Sequence, residues 1–225
     1  MYSLVRLVPD APGHRPVVAA FDVDGTLTTR DCVTPFLLRT AGMRLWTTLL
    51  RHPVGLAGAA LHRDRDRLKE LACSALRGRD GAELEGFGVS FAAEIASSRL
   101  RDDTVARLRR HRALGHTVLL ASASLDVYVE PLADLLPADA YVCTTLERAA
   151  DGRLTGRLAG GNCRGAEKAR RVREWLTASG LEEAELWAYG DSDGDTALLD
   201  LADHPYRVDG VRLGPEPLVD RAAPA

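Results

Sequence analysis

The sequence predicts an α/β fold, a parallel sheet flanked by helices, with an all-helical segment inserted after the first strand. Three observations predict it. Short apolar runs alternate with helix-period segments, as strand–helix–strand units require. Residues 34–99 interrupt that rhythm with helical patterning and no strong strand candidate. Acidic or small polar residues stand directly after three of the apolar runs, at the strand ends where open α/β sheets bind ligands.

Residues 1 to about 15 read as a loose leader. Val17–Phe21 is the first strand, because it is apolar throughout and lacks the polar alternation of a half-exposed strand. The helical stretch that follows has breaks expected at His52-Pro53, Gly78 and Gly86-Phe87-Gly88. Asp102–Leu114 is an amphipathic helix with Val105, Leu108 and Leu114 on one side and Gly115 as its stop. Thr117–Ala121 is the second strand, Asp126–Leu136 a helix ended by Pro137, and Ala140–Thr144 the third strand. Leu154 and Leu158 flank Thr155-Gly156-Arg157 just after Asp151-Gly152, which suits a small hairpin. Ala166–Ala178 is a helix closed by Gly180, Leu186–Tyr189 the fourth strand, Thr196–Ala202 a short helix and Tyr206–Val208 the fifth strand. The Pro- and Ala-rich tail after Gly210 is expected to fray. The division is a core of residues 1–32 and 100–225 with a helical cap of residues 33–99.

With 225 residues, 46% hydrophobic and 27% charged, the chain has an ordinary soluble composition. A net charge of −3 and 5% aromatic residues give no footprint for nucleic acid. Cys32, Cys73, Cys143 and Cys163 form no CxxC pair or zinc pattern, which fits reduced thiols in the cytoplasm. Met1–Gly13 lacks the apolar region of a signal peptide. The apolar window Met43–Leu61 is broken by Arg44, Arg51, His52 and Pro53, so it is a poor membrane span. Packing inside the protein is the expectation for it, with a membrane-surface helix as the alternative.

Four short segments carry chemistry. Asp22 and Asp24 are i and i+2 at a strand end, so their side chains emerge on one side. Paired carboxylates repel unless a cation sits between them, and a hard divalent ion such as Mg²⁺ suits oxygen ligands. Ser122-Ala123-Ser124 after the second strand offers a hydroxyl and backbone N–H groups to a phosphate, or a plain helix cap. Lys168 is the only lysine besides Lys69 and lies near a helix start, where a compact ammonium can neutralise crowded carboxylates. Gly190-Asp191-Ser192-Asp193-Gly194-Asp195 clusters acids after the fourth strand without meeting the EF-hand pattern.

In this order the four segments resemble the motifs of the haloacid dehalogenase superfamily. Asp22-Val23-Asp24-Gly25-Thr26 is similar to its first motif, Ser122 to its second, Lys168 to its third and Gly190–Asp195 to its fourth. The inserted helices and the segments Arg153–Leu158 and Cys163–Lys168 resemble the phosphoserine phosphatase-like branch, subfamily IB. The resemblance implies a Rossmann-like core and a Mg²⁺-dependent phosphatase acting on a phosphate monoester through an aspartyl-phosphate. It implies Asp22 as nucleophile and Asp24 as general acid and base. It also implies Mg²⁺ held by Asp22, the Asp24 carbonyl and Asp191, with Asp195 in the same acidic set or orienting Lys168 or a metal-bound water. Ser122, Ala123 and Lys168 would bind the phosphoryl group. Asp31 matches the position of an acid that holds a substrate ammonium, with a helix N-cap as its other reading, and Arg67, Arg63 or Arg65 would hold a substrate carboxylate. The chain departs from the branch in lacking a Phe-Ser-Leu-Arg run in the inserted helices, in placing Ser122-Ala123-Ser124 where a double glycine is usual, and in Gly194 where an asparagine is usual. The implied substrate is a small phosphorylated metabolite, phosphoserine or a related compound. A phosphoglycerol lipid, or transfer of the phosphoryl group to an alcohol, is the alternative.

Overall fold

The structure, a computed structural model, describes residues 15–62, 64–208 and 213, and Ala60 by its backbone alone. The leader before Arg15, Arg63 and nearly all of the tail lie outside the described residues.

A six-stranded sheet has the order β4-β3-β2-β1-β5-β6. Its strands are β1 (Val17–Phe21), β2 (Thr117–Leu125), β3 (Ala140–Arg148), β4 (Leu154–Ala159), β5 (Glu185–Gly190) and β6 (His204–Arg207). All neighbours are parallel except β4, which runs antiparallel to β3. The wholly apolar first strand therefore lies inside the sheet. Phe21 pairs with Leu120 on β2 and Tyr189 on β5, so β1 and β5 end near the level at which β2 enters an irregular stretch after Ala121. Residues following those ends meet in space although they are distant in sequence.

The two-residue period of β1 sorts its side chains onto two faces. Val18 and Ala20 join Val172 and Trp175 of α8 (Ala166–Ala178) in one core layer. Ala19 and Phe21 join the larger layer, which also holds Leu108 of α6 (Asp102–Ala113) and Val129 and Leu132 of α7 (Asp126–Leu135). Phe21 stacks on Tyr189 at 4.4 Å between ring centres. The Tyr189 hydroxyl lies 2.9 Å from Nε2 of His111, a fully buried histidine.

Several strands run longer than the periodicity suggested. β2 continues from Ala121 to Leu125 because its pairing with β3 shifts register between those residues instead of ending, and β3 continues from Thr144 to Arg148 by pairing with β4. That irregularity re-aims Ser122-Ala123-Ser124 without leaving the sheet. The hairpin is present, but its turn is Asp151-Gly152 and Thr155-Gly156-Arg157 lies inside β4. β6 begins at His204, two residues before the expected start.

Between β1 and β2 the chain forms α1 (Val33–Ala41), α2 (Met43–Arg51), α3 (Pro53–Leu61), α4 (Arg65–Ser74) and α5 (Gly81–Ser98). The break expected at Gly86-Phe87-Gly88 is absent, and α5 runs through it. The glycine there answers to packing: a Cβ on Gly88 would stand 1.8 Å from the carbonyl oxygen of Val127 on α7. Helix–helix approach at that distance admits no side chain. The expectation that Met43–Leu61 packs inside the protein is also corrected. Among the described side chains only Leu45 and Ala59 are buried there, whereas Met43, Trp46, Leu50, Val54 and Leu61 are 54–86% exposed. Mean hydropathy cannot tell which side of a helix meets the core, and here most apolar side chains face outward. No helix among the described residues is long and apolar enough to cross a membrane.

Candidate active site

Asp22 follows β1 and its backbone N–H donates to the Tyr189 carbonyl at 2.9 Å. A tight turn over Val23–Leu27 then carries the chain away from the sheet, with Gly25 at φ +85°. Glycine is required there for two reasons. The conformation is left-handed, and an added Cβ would stand 2.2 Å from Oδ2 of Asp191. The turn thereby brings its own backbone against the acidic loop after β5.

Lys168 lies in the first turn of α8, buried. Its ammonium donates to Oδ1 of Asp22 at 2.7 Å and to Oδ1 of Asp195. The other oxygen of Asp195 accepts from the backbone N–H of Ser192 at 3.0 Å and its hydroxyl at 2.8 Å. Asp195 also packs against Gly190, whose added Cβ would stand 2.4 Å from the aspartate Cβ. Carboxylate oxygens of Asp22, Asp191 and Asp195 lie within 4.8 Å of one another. Oδ1 of Asp191 and the hydroxyl of Thr26 are buried and have no hydrogen-bond partner.

The electrostatics follow from burial and from charge count. Three carboxylates and one ammonium leave a formal charge of −2 around this point. Burial, opposed by the attraction of Lys168 and helped by the Asp195 charge, raises the Asp22 carboxyl to about 7. Burial and then Asp195 likewise raise Asp191. Burial opposes the charged form of Asp195 too, but Lys168 outweighs it and holds that carboxyl below its ordinary value. Burial would strip the Lys168 proton, yet the pull of Asp22 and Asp195 dominates and keeps the ammonium charged. One ammonium thus satisfies one of its two acids and leaves the remainder in excess. An oxygen-only donor set, an orphaned buried carboxylate oxygen and a local −2 fit a hard divalent cation.

Asp24 points elsewhere. Its Oδ2 accepts from the Ser124 hydroxyl at 2.7 Å and its Oδ1 from the Cys32 backbone N–H at 3.1 Å. Burial raises its carboxyl above the ordinary value, with the Ser124 hydroxyl opposing and the Asp31 charge adding to the rise. Its side chain stands outside the group that Asp22, Asp191 and Asp195 form. Ser122 is buried, and its hydroxyl oxygen accepts the N–H of Ser124 at 3.0 Å.

Two residues of the inserted helices reach the Ser122-Ala123-Ser124 segment and Asn162. Lys69 on α4 donates to the Ala123 carbonyl, to Oδ1 of Asn162 at 3.0 Å and to the Thr144 hydroxyl at 3.3 Å. Asp66, one turn earlier, accepts from Nδ2 of Asn162 at 2.7 Å. The rarity of lysine in this chain was the available signal for Lys69. Asp31 and Arg67 are both exposed. The Asp31 carboxylate accepts from the N–H groups of Val33 and Thr34 and closes the first turn of α1, the N-cap geometry. Arg63 lies outside the described residues, and Arg65 is exposed.

The model of the haloacid dehalogenase-like hydrolase family matches residues 19–200. The chain is 40% identical over 208 residues to Protein CicA of Caulobacter vibrioides, covering 92% of each chain. It is 29% identical over 195 residues to a phosphoserine phosphatase of Streptomyces coelicolor, covering 82% of this chain and 46% of that one. Among solved structures, the apo form of a phosphoserine phosphatase superposes with a TM-score of 0.56 at 16% identity, over 83% of each chain. The chain therefore belongs to the haloacid dehalogenase-like hydrolases, with the fold of their phosphoserine phosphatase-like members.

Proposed function

We propose that this enzyme is a Mg²⁺-dependent phosphatase that cleaves a phosphate monoester through an aspartyl-phosphate on Asp22. The observation that carries the reading is the Lys168 ammonium held between Asp22 and Asp195 beside the orphaned oxygen of Asp191. A carboxylate oxygen of Asp22 attacks phosphorus while the bond to the alcohol oxygen breaks. Asp24 gives its proton to that leaving oxygen. It then takes a proton from the water that attacks the aspartyl-phosphate, which frees Asp22 and inorganic phosphate. A carboxyl raised by burial suits a group that must both give and take a proton. Ser122, the Ala123 amide and Lys168 donate to the transferring oxygens. Asp22, Asp191 and the Asp24 carbonyl would hold Mg²⁺ with Asp195 beside them, and the ion supplies positive charge that offsets repulsion between two anions.

Residues 33–99 act as a cap that excludes water and selects the substrate, with Asp31 and Arg67 as contacts for its remote groups. A small phosphorylated metabolite such as phosphoserine is the favoured substrate, and water the acceptor. The exposed apolar side chains of α2 and α3 favour one second reading, a phosphoglycerol lipid. Four buried cysteines without a disulfide support a reducing, cytoplasmic setting. A screen of phosphorylated metabolites and lipids with Mg²⁺ or EDTA tests the reading. Metal-dependent release of phosphate is expected, and Asp22→Asn should abolish it. Turnover that survives EDTA or Asp22→Asn refutes it.

A further inference from the structure

Lys69 is a part-buried cation that forms no ion pair among the described residues. Its three partners are neutral and lie on three separate stretches of the core: Ala123 on β2, Thr144 on β3 and Asn162 before α8. Burial lowers its pKa and outweighs the attraction of Cys73 and Asp24, neither of which it meets in a hydrogen bond. A flexible lysine held there in preference to water needs a reason in the geometry.

The contacts form one closed network. The Thr144 hydroxyl lies 2.7 Å from the Ala123 carbonyl and 2.8 Å from Oδ1 of Asn162, and it accepts the Cys163 N–H at 3.0 Å. Asn162 is gripped at both ends of its amide by one helix face, since Asp66 and Lys69 are i and i+3 on α4. Ala123 lies between Ser122, a proposed phosphate donor, and Ser124, whose hydroxyl binds Asp24. The direction of the Ala123 carbonyl sets the plane of the peptide that ends in the Ser124 N–H, and that N–H binds the Ser122 hydroxyl. A cation from the inserted helices therefore orients the turn that carries the phosphate donor and the partner of the proton-transfer acid.

We propose that Lys69 is a positioning residue for the hydrolysis, a strut through which seating of α4 aligns the Ser122-Ala123-Ser124 turn. This rests on the proposed phosphatase reaction, so its test includes a readout independent of turnover. Lys69→Met keeps the length of the stem and removes the charge and donors; Lys69→Arg keeps both. Steady-state hydrolysis of an aryl phosphate with Mg²⁺ is measured beside amide hydrogen exchange of residues 122–125, with Asp22→Asn as the exchange control. Lys69→Met is expected to lower kcat by about a hundredfold with little change in KM, as misplacement by about 1 Å does. Exchange at 122–125 should quicken in Lys69→Met and stay at the parent rate in Asp22→Asn, while Lys69→Arg recovers most of both. Unchanged kcat and unchanged exchange in a folded Lys69→Met overturns the proposal. So does a rise in KM alone with exchange unchanged, which would make Lys69 a direct substrate contact. If the parent protein hydrolyses no phosphate ester, the reaction is wrong, and the exchange arm still decides whether Lys69 orders the turn.

Discussion

Replacing Lys168 by Met isolates the charge balance at the centre of the site. Methionine nearly conserves volume, and such swaps cost less than about 1.5 kcal/mol in packing. The electrostatic loss is larger. Lys168 touches two carboxylates with its side chain only 2% exposed, and breaking such buried pairs costs about 3–5 kcal/mol. The charge effect should therefore dominate, and pH separates it from packing. Asp195 is held below its unfolded pKa by Lys168, so it stabilises the parent above that pKa, and this stability is lost as pH falls through the depressed value. Without Lys168, burial raises Asp195 instead, and the carboxylate destabilises the variant above a pH of about 4. Urea unfolding in EDTA should show a gap of about 3–5 kcal/mol near pH 8 that narrows as pH falls toward about 4, where the variant's Asp195 takes up its proton, and that closes toward the packing cost of about 1.5 kcal/mol or less only below pH about 4, where the parent's Asp195 loses its charge. Mg²⁺ should narrow the gap at the higher pH, because a bound dication offsets the same excess of acids. A gap of constant size across pH, or no gap, would mean that Lys168 does not neutralise the acids.

Other perturbations test separate parts of the structure. Gly88→Ala places a methyl 1.8 Å from the Val127 carbonyl, so thermal or urea unfolding should show a loss of about 1–3 kcal/mol with kcat unchanged in the folded fraction. Gly25→Ala adds strain at φ +85° and drives a methyl into the Asp191 carboxylate, so calorimetry should show Mg²⁺ affinity lowered by about 10- to 100-fold. His111 titrates near 3 because it is buried and faces His116. The unfolded chain therefore binds its proton first, and stability should fall as pH drops from 6.5 toward 3, by at most about 1.4 kcal/mol per unit from this residue. His111→Phe should remove that slope from a pH series of unfolding curves.

The meeting of Asp22 with Asp191 was legible because both follow strand ends. Val17–Phe21 could be read as a buried strand, and buried strands of a parallel sheet deliver their following residues to one edge. Asp22, Ser122 and Asp191 thus had predictable neighbours. The contacts of Lys69 were not legible, since helical spacing fixes the face of a side chain but not a partner 54 residues away. Gly88 carried the composition of a break, and only the approach of α7 reveals its packing role. The apolar side chains of α2 and α3 looked like core because hydropathy counts residues and not the side they face. Asp31 kept two readings for a related reason: a carboxylate before a helix serves the local N–H groups as readily as a ligand.

Acid-quenched mass spectrometry of the enzyme during turnover tests most directly whether the phosphoryl group passes through Asp22. The peptide containing residues 17–30 should carry one phosphoryl group on Asp22. With an aryl phosphate whose leaving phenolate needs no proton, the adduct should accumulate when Asp24→Asn slows its hydrolysis, and it should vanish in Asp22→Asn. Sustained phosphate release with no adduct on Asp22, or an adduct on another residue, would contradict the mechanism.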